Sequence, residues 1–309
     1  MACKRFVKKR IQTKEDTKED HPQQLIKSTT TIKEANNKEQ YKNEQEKKYK
    51  NKLKIIYTNA TLTALKKQEL KELVSRSQPH IIAVCEVKPK NGKERLIQDY
   101  SFDGYSVPYQ TNAINRTGRG IIILVHKSLS HHVLHVNATI KYEEVCLLEI
   151  KLENNDLLIF GCIYRSPTET VTSDENNSNL NLLLRQISSN NKYTHKCIVG
   201  DFNYKAINWE HWSTSYGEAS KEEQFLEALR NSFLYQHVKE PTRARGTDEP
   251  STIDLILTGE QFQVSNLCYI APLGKSDHSV LSFTFDCYFE SELSTERYNY
   301  HKDFNERGT

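Results

Sequence analysis

Long apolar runs are missing from this chain. No stretch of its 309 residues approaches the roughly 20 apolar residues that a membrane-spanning helix needs. Nor does an apolar segment follow the basic N-terminus, as it would in a secretory signal peptide. Neither membrane insertion nor secretion is expected. Paired cysteines are missing as well. Cys3, Cys85, Cys146, Cys162, Cys197, Cys268 and Cys287 include no CxxC pair, and most sit within apolar runs. That speaks against zinc ligands or a disulfide frame and suits small buried hydrophobes in a reducing, intracellular compartment. Apolar residues are scarce, at 37% against 27% charged, which is low for a wholly globular chain.

The shortfall concentrates at the ends. Residues 1–50 hold 14 Lys/Arg against 8 Asp/Glu, a net +6, so the overall +3 leaves −3 for residues 51–309. A segment this polar cannot bury enough surface to offset its ordering entropy. Residues 1–52 are therefore read as a disordered basic arm. A solvated tail is the simplest role for it; "KRFVKKR" also suits a non-specific nucleic-acid arm or a nuclear-import patch. Residues 291–309 read as a short polar tail, and 53–290 as one domain.

Within that body, "LKIIYT" (53–58), "HIIAVCE" (80–86), "RGIIILVHK" (119–127), "VCLLEIKL" (145–152), "DLLIFGCIY" (156–164), "KCIVGDFN" (196–203), "STIDLILT" (251–258), "VSNLCYI" (264–270) and "HSVLSFTF" (278–285) read as strands. "ENND" reads as a hairpin turn. Helices are expected over 65–77, 178–190 and 221–233, the first with Leu65, Leu70, Leu73 and Val74 on its apolar face. Nearly adjacent strands with a few intervening helices predict a four-layered α/β sandwich, two mixed sheets face to face with helices outside. No internal repeat is visible.

Several strands end on polar residues: Asn59, Glu86, Tyr164 followed by Arg165, then Asp201 and Asn203 after Gly200, and Asp277–His278 before the last strand. Each alone is most often a turn former or cap. Asp254 is harder to explain that way. It lies among Ile253, Leu255, Ile256 and Leu257, and an ionised carboxylate in a dry strand needs a partner, a histidine or a cation. Several carboxylates converging at one mouth would repel one another, and a hard divalent cation such as Mg²⁺ or Mn²⁺ relieves that repulsion. Asp201 and Asn203, two apart in an extended chain, can face one side while Phe202 turns into the core.

"TNA", "CEVKPK", "YRSP", "GDFN", "STIDLILT" and "SDHSVL", in this order, resemble the endonuclease/exonuclease/phosphatase superfamily. The resemblance covers about residues 53–290. It is narrowest to the AP-like endonuclease domain of non-LTR retrotransposons of the jockey type. It implies Glu86 as principal metal ligand with Asn59 and Asp277 nearby. Asp201 would orient or deprotonate the attacking water, and Asn203 would hold the phosphate or the nucleophile. His278 would contact the phosphate with Asp254 behind it, and Tyr164 would touch the phosphate from the side. Where AP endonucleases commonly carry an acid two residues after the first Asn, this chain has Thr61.

The implied activity is Mg²⁺- or Mn²⁺-dependent nicking of DNA to leave a 3′-hydroxyl, in the nucleus, with a reverse transcriptase encoded elsewhere as a partner. Local basic loops would meet the DNA backbone: Lys88 with Lys90, Arg116 with Arg119, Arg165, and Arg243 with Arg245. Ser251 and Thr252 could donate to a phosphate. Trp209 and Trp212 are better read as packing than as stacking residues. The alternatives are the same chemistry on an inositol phosphate or phospholipid, or a non-catalytic binding module.

Overall fold

In the computed structural model, residues 52–88, 100–106, 109–110, 119–137, 139–152, 156–167 and 173–287 are described. Residues 1–51 of the arm, the C-terminal tail, residues 153–155 of the "ENND" turn, Lys90 and Arg116 lie outside them, whereas Lys52, read as the end of the arm, opens the first strand.

Two six-stranded sheets carry the fold. The first contains β1 (Lys52–Asn59), β2 (Ile81–Cys85), β3 (Tyr109–Gln110), β4 (Ile121–Val125), β13 (Val264–Ile270) and β14 (Val280–Asp286). Their order is β13-β14-β1-β2-β4-β3. The second contains β5 (His131–Leu134), β6 (Val145–Lys151), β7 (Leu157–Tyr164), β8 (His195–Asp201), β11 (Tyr235–Gln236) and β12 (Asp254–Thr258), in the order β11-β12-β8-β7-β6-β5. In each sheet only the central pair is parallel, β1 with β2 and β7 with β8; every other neighbour is antiparallel. The sheets thus share one pairing pattern, with β1 lying against β8 and β2 against β7. A short hairpin, β9 (Ile207–Asn208) with β10 (Ser213–Thr214), follows β8.

The apolar runs are continuous because the central strands are buried on both faces. Alternate residues divide between layers. Ile55, Tyr57, Ala83, Cys85 and Ile123 meet Phe160, Cys162, Val199 and Ile256 between the sheets. Ile56, Ile82, Val84 and Leu124 face outward under helix α1 (Ala64–Ser77). Ile159, Ile163, Ile198 and Leu255 face outward on the other side, under α2 (Ser173–Ser189) and α3 (Lys221–Asn231). These are the four expected layers. Cys85, Cys146, Cys162, Cys197 and Cys287 all fill the inter-sheet core, whereas Cys268 is exposed.

The helices differ from expectation in detail. Leu65 is 67% exposed, because five positions before Leu70 places it well off the buried face. α2 begins five residues earlier than its apolar period, in the turn containing Asp174 and Glu175, acids that suit a helix N-terminus. α3 is started by an N-cap: the Ser220 side chain accepts from Glu223 N at 3.2 Å. Strand β5, "HHVL", was not expected, since its exposed positions show no apolar alternation.

Gly200 joins β7 and β8 at their closest. A Cβ there would sit 2.0 Å from the Ile163 carbonyl oxygen, a backbone atom fixed in the parallel ladder that pairs Ile163 with Gly200 and Tyr164 with Asp201. Gly200→Ala should therefore lower unfolding free energy by about 3 kcal/mol or more, measured by denaturant titration. A loss below about 1 kcal/mol would show that the ladder yields.

Candidate active site

Because β1, β2, β7 and β8 run in parallel pairs, all four release their C-terminal residues at one edge of the sandwich. The antiparallel neighbours β12 and β14 begin at that same edge. Register fixes the match: Asp254 opens β12 directly opposite Asp201, which closes β8.

Each facing pair of strands then supplies a cross-sheet contact. Asn59, ending β1, donates from Nδ2 to Asp201 Oδ2 at 2.7 Å and to Glu86 Oε1 at 3.4 Å. Tyr164, ending β7, lies beside Glu86, which follows β2. His278, two residues before β14, bonds through Nδ1 to Asp254 Oδ2 at 2.8 Å. Glu86 and Asn203 both adopt positive φ, 54° each. That left-handed turn is uncommon for Glu and costs on the order of 1 kcal/mol. It swings both residues out of their strands. The Asn203 backbone N donates to Asp201 Oδ1 at 3.2 Å, and its Nδ2 donates to the Arg165 carbonyl at 2.8 Å.

These groups floor a cleft of about 760 Å³ lined by Asn59, Glu86, Tyr164, Asp201, Asn203, Asp277 and His278. Its rim carries Lys66, Arg119, Lys205, Arg243, Arg245 and Lys275. Arg119 pairs with Glu144 at 3.2 Å. Arg243 holds Asp277 Oδ2 at 3.0 Å through both Nε and Nη2. Lys66, Lys205, Arg245 and Lys275 make no ion pair among the described residues. Lys66, Lys205 and Lys275 carried no signal in the sequence: Lys66, beside Lys67, stands in the first turn of a helix, and Lys205 and Lys275 are lone lysines in loops.

Electrostatics follow from this crowding. Burial, then the neighbouring Asp254 and Glu86 carboxylates, raise Asp201 well above the usual carboxylate range, against the pull of His278 and the Asn59 amide. Burial, then Glu86 and Asp201, also raise Tyr164, which stays a neutral donor. Burial favours neutral His278, but Asp254, by charge and hydrogen bond, and then Asp201 and Asp277 outweigh it and push its pKa up to about 9. Asp277 is lowered: burial opposes the shift, while His278 and Arg243 drive it.

Asp201, Asp254 and His278 offer ligand atoms within 4.8 Å of one another. Asp254, however, is fully buried and has both oxygens committed, Oδ2 to His278 and Oδ1 to the Tyr57 hydroxyl at 2.9 Å. The donors facing the cleft are Glu86 and Asp201, bridged by Asn59. Two carboxylates and an amide are an oxygen-rich set that fits a hard divalent cation.

Two sequence expectations need correction. Arg165 is not a surface contact. It is only 4% exposed; its Nε donates to Asn177 Oδ1, its Nη1 to the carbonyls of Phe202 and Asn203, and it stacks 4.1 Å from the Tyr204 ring. Ser251 and Thr252 do not line the cleft. Ser251 pairs through its backbone with Arg243, and the Thr252 carbonyl accepts from Trp209 Nε1. Lys88 likewise lies outside the cleft lining. Trp209 and Trp212 pack edge to face against each other and on the apolar layer beneath α3. Phe202 is buried there, as expected.

Sequence reading missed Tyr57 and Thr242, whose Oγ1 accepts from the backbone N of Ile253 and Asp254. Tyr57 did carry a signal. It lies two residues before Asn59, on the same inward face, and a phenol in an apolar run needs a partner.

A family model described as "Endonuclease-reverse transcriptase" matches residues 158–282. No curated protein matches the chain. Among solved structures, the endonuclease domain of TRAS1, a telomere-specific non-LTR retrotransposon, matches with a TM-score of 0.55 at 16% identity, over 75% of this chain and 98% of that one. AP endonuclease LMAP from Leishmania major gives 0.58 at 13% over 76% and 88%. The 3′-5′ exonuclease NExo from Neisseria meningitidis gives 0.57 at 15% over 76% and 100%. At these identities the likeness is one of fold. The chain shares its fold with these three proteins, and over residues 158–282 it matches the family model.

Because the folded pKa of His278 exceeds its ordinary 6.5, the protonated ring contributes stability that is full below about pH 6.5 and lost as pH rises through about 9. An NMR titration of metal-free protein should place the His278 midpoint near 9, and Asp254→Asn should bring it down. An unshifted midpoint in Asp254→Asn would assign the elevation to other groups.

Proposed function

We propose that the protein is a divalent-metal-dependent DNA endonuclease of non-LTR retrotransposon descent, which nicks one strand and leaves a 3′-hydroxyl. The observation that carries this reading is the cleft itself. A carboxylate floor beside a protonated imidazole is ringed by Lys66, Lys205, Arg245 and Lys275, cations without acid partners among the described residues. Such a rim suits a polyanion that extends past the reacting phosphate on more than one side. The matched "Endonuclease-reverse transcriptase" model and the retrotransposon endonuclease among the similar folds support the same choice.

The residues divide the work. Glu86 and Asp201, with Asn59 between them, would hold Mg²⁺ or Mn²⁺, which supplies charge neutralisation to the phosphoryl oxygens. Asp201, ionised once the cation is bound, would orient or deprotonate the attacking water. Asn203 spends one amide hydrogen on the Arg165 carbonyl, leaving the other hydrogen and Oδ1 for the phosphate or the water. Protonated His278 has Nδ1 engaged by Asp254 and presents Nε2 to the cleft beside Asp277, where it donates to a phosphoryl oxygen. Neutral Tyr164 donates from the opposite wall. These donors meet charge that grows in the transition state. Arg165 sets the position of Asn203 from behind. A nuclear location and a reverse transcriptase encoded elsewhere, extending the 3′-hydroxyl, complete the reading.

Incubation with supercoiled plasmid should give open circles in Mg²⁺ or Mn²⁺ and none in EDTA. Asp201→Ala and His278→Ala should each lower the rate by about 100-fold or more. Nicked ends should be extendable by a polymerase without end repair. Release of phosphate from inositol phosphates in place of nicking would move the substrate to a small phosphoester. Binding without cleavage of either would leave a non-catalytic module.

A further inference from the structure

Behind the histidine lies a residue that the catalytic reading does not use. Tyr57 is fully buried in β1, packed in the inter-sheet core among aliphatic side chains. Its hydroxyl donates to Asp254 Oδ1 at 2.9 Å, across the gap between the two sheets. Asp254 receives the His278 ring on its other oxygen at 2.8 Å and is anchored at its backbone N by Thr242. Tyr57, Asp254 and His278 therefore form an unbroken line from the middle of the core to the cleft, and only the last member lines the cleft.

Resting on the endonuclease reading above, we infer that Tyr57 is a positioning residue, which orients the Asp254 carboxylate and through it the phosphate-facing edge of the His278 ring. A carboxylate held by one hydrogen bond can rotate about its last bond and offer either oxygen. Two donors, one on each oxygen and both from the facing sheet, fix its plane. With the plane fixed, the lone pair of Oδ2 meets Nδ1 along one direction, and the ring has one orientation in which Nε2 faces the cleft. Partners of this kind, one bond removed from the reacting group, typically change activity 10- to 100-fold when lost. The other groups around the line leave this task to Tyr57. Thr242 reaches the backbone of Asp254, and Asn59 is committed to Asp201 and Glu86.

Tyr57→Phe removes the hydroxyl and keeps the ring that fills the core. Three measurements on the full chain test the inference. In steady-state nicking, kcat should fall by about 10-fold or more while KM changes by less than about twofold, since no group that meets the DNA has been altered. In proton NMR of metal-free protein, the Nδ1–H resonance of His278, assigned by its absence in His278→Ala, should shift or broaden in Tyr57→Phe. Thermal unfolding shows how far the substitution perturbs the fold. A lowered midpoint with unchanged kcat and an unmoved Nδ1–H resonance would overturn the inference and leave Tyr57 a packing residue. If the wild type fails to nick any DNA, the endonuclease reading falls, while the NMR comparison still decides whether Tyr57 orients the pair.

Discussion

A pair of parallel strands must end at the same place, and here two such pairs lie against each other. The site depends on that constraint. The C-termini of β1, β2, β7 and β8 arrive together at one edge, and the antiparallel strands beside them start there. Residues nearly 200 positions apart, such as Tyr57 and Asp254, meet without a long loop to carry them. The glycine that allows the closest approach, Gly200, sits one residue before the acid it delivers. Packing at the centre of the sandwich and chemistry at its edge are in this sense one structure.

The edge is electrostatically costly. Glu86, Asp201 and Asp254 crowd within a mostly buried volume, and the raised Asp201 carboxyl records the strain. Part of the cost is met internally, by the Asn59 amide, by protonated His278 and by the Tyr57 hydroxyl. The remainder gives the cleft floor its appetite for positive charge, while the rim cations keep the mouth attractive to an anion. A floor that wants a cation beneath a rim that wants a phosphate is the arrangement phosphodiester hydrolysis calls for.

Much of this was legible in the sequence, for physical reasons. Strands with apolar runs or apolar alternation stand out, and so did nine of the ten strands longer than two residues; β5, half exposed, did not. The polar residues that end those runs were visible as Asn59, Glu86, Tyr164, Asp201 and His278. Asp254 inside an apolar strand announced a partner, and His278 is that partner. What could not be read was direction. Arg165 follows Tyr164 in a loop-like stretch, yet its guanidinium turns inward to Asn177 and Tyr204, because the ladder holds the β7 exit against the carbonyls after β8. Ser251 and Thr252 point their backbone, not the cleft, at their neighbours. The matched pairing pattern of the two sheets is a property of register with no counterpart in residue identity, and no repeat betrayed it.

Anomalous diffraction from crystals soaked in Mn²⁺ tests the central claim most directly. The account predicts one strong peak at the cleft floor, within coordination distance of Glu86 and Asp201, and its loss in Glu86→Gln. A peak bound instead by Asp254 and His278, or none at this edge, would contradict it.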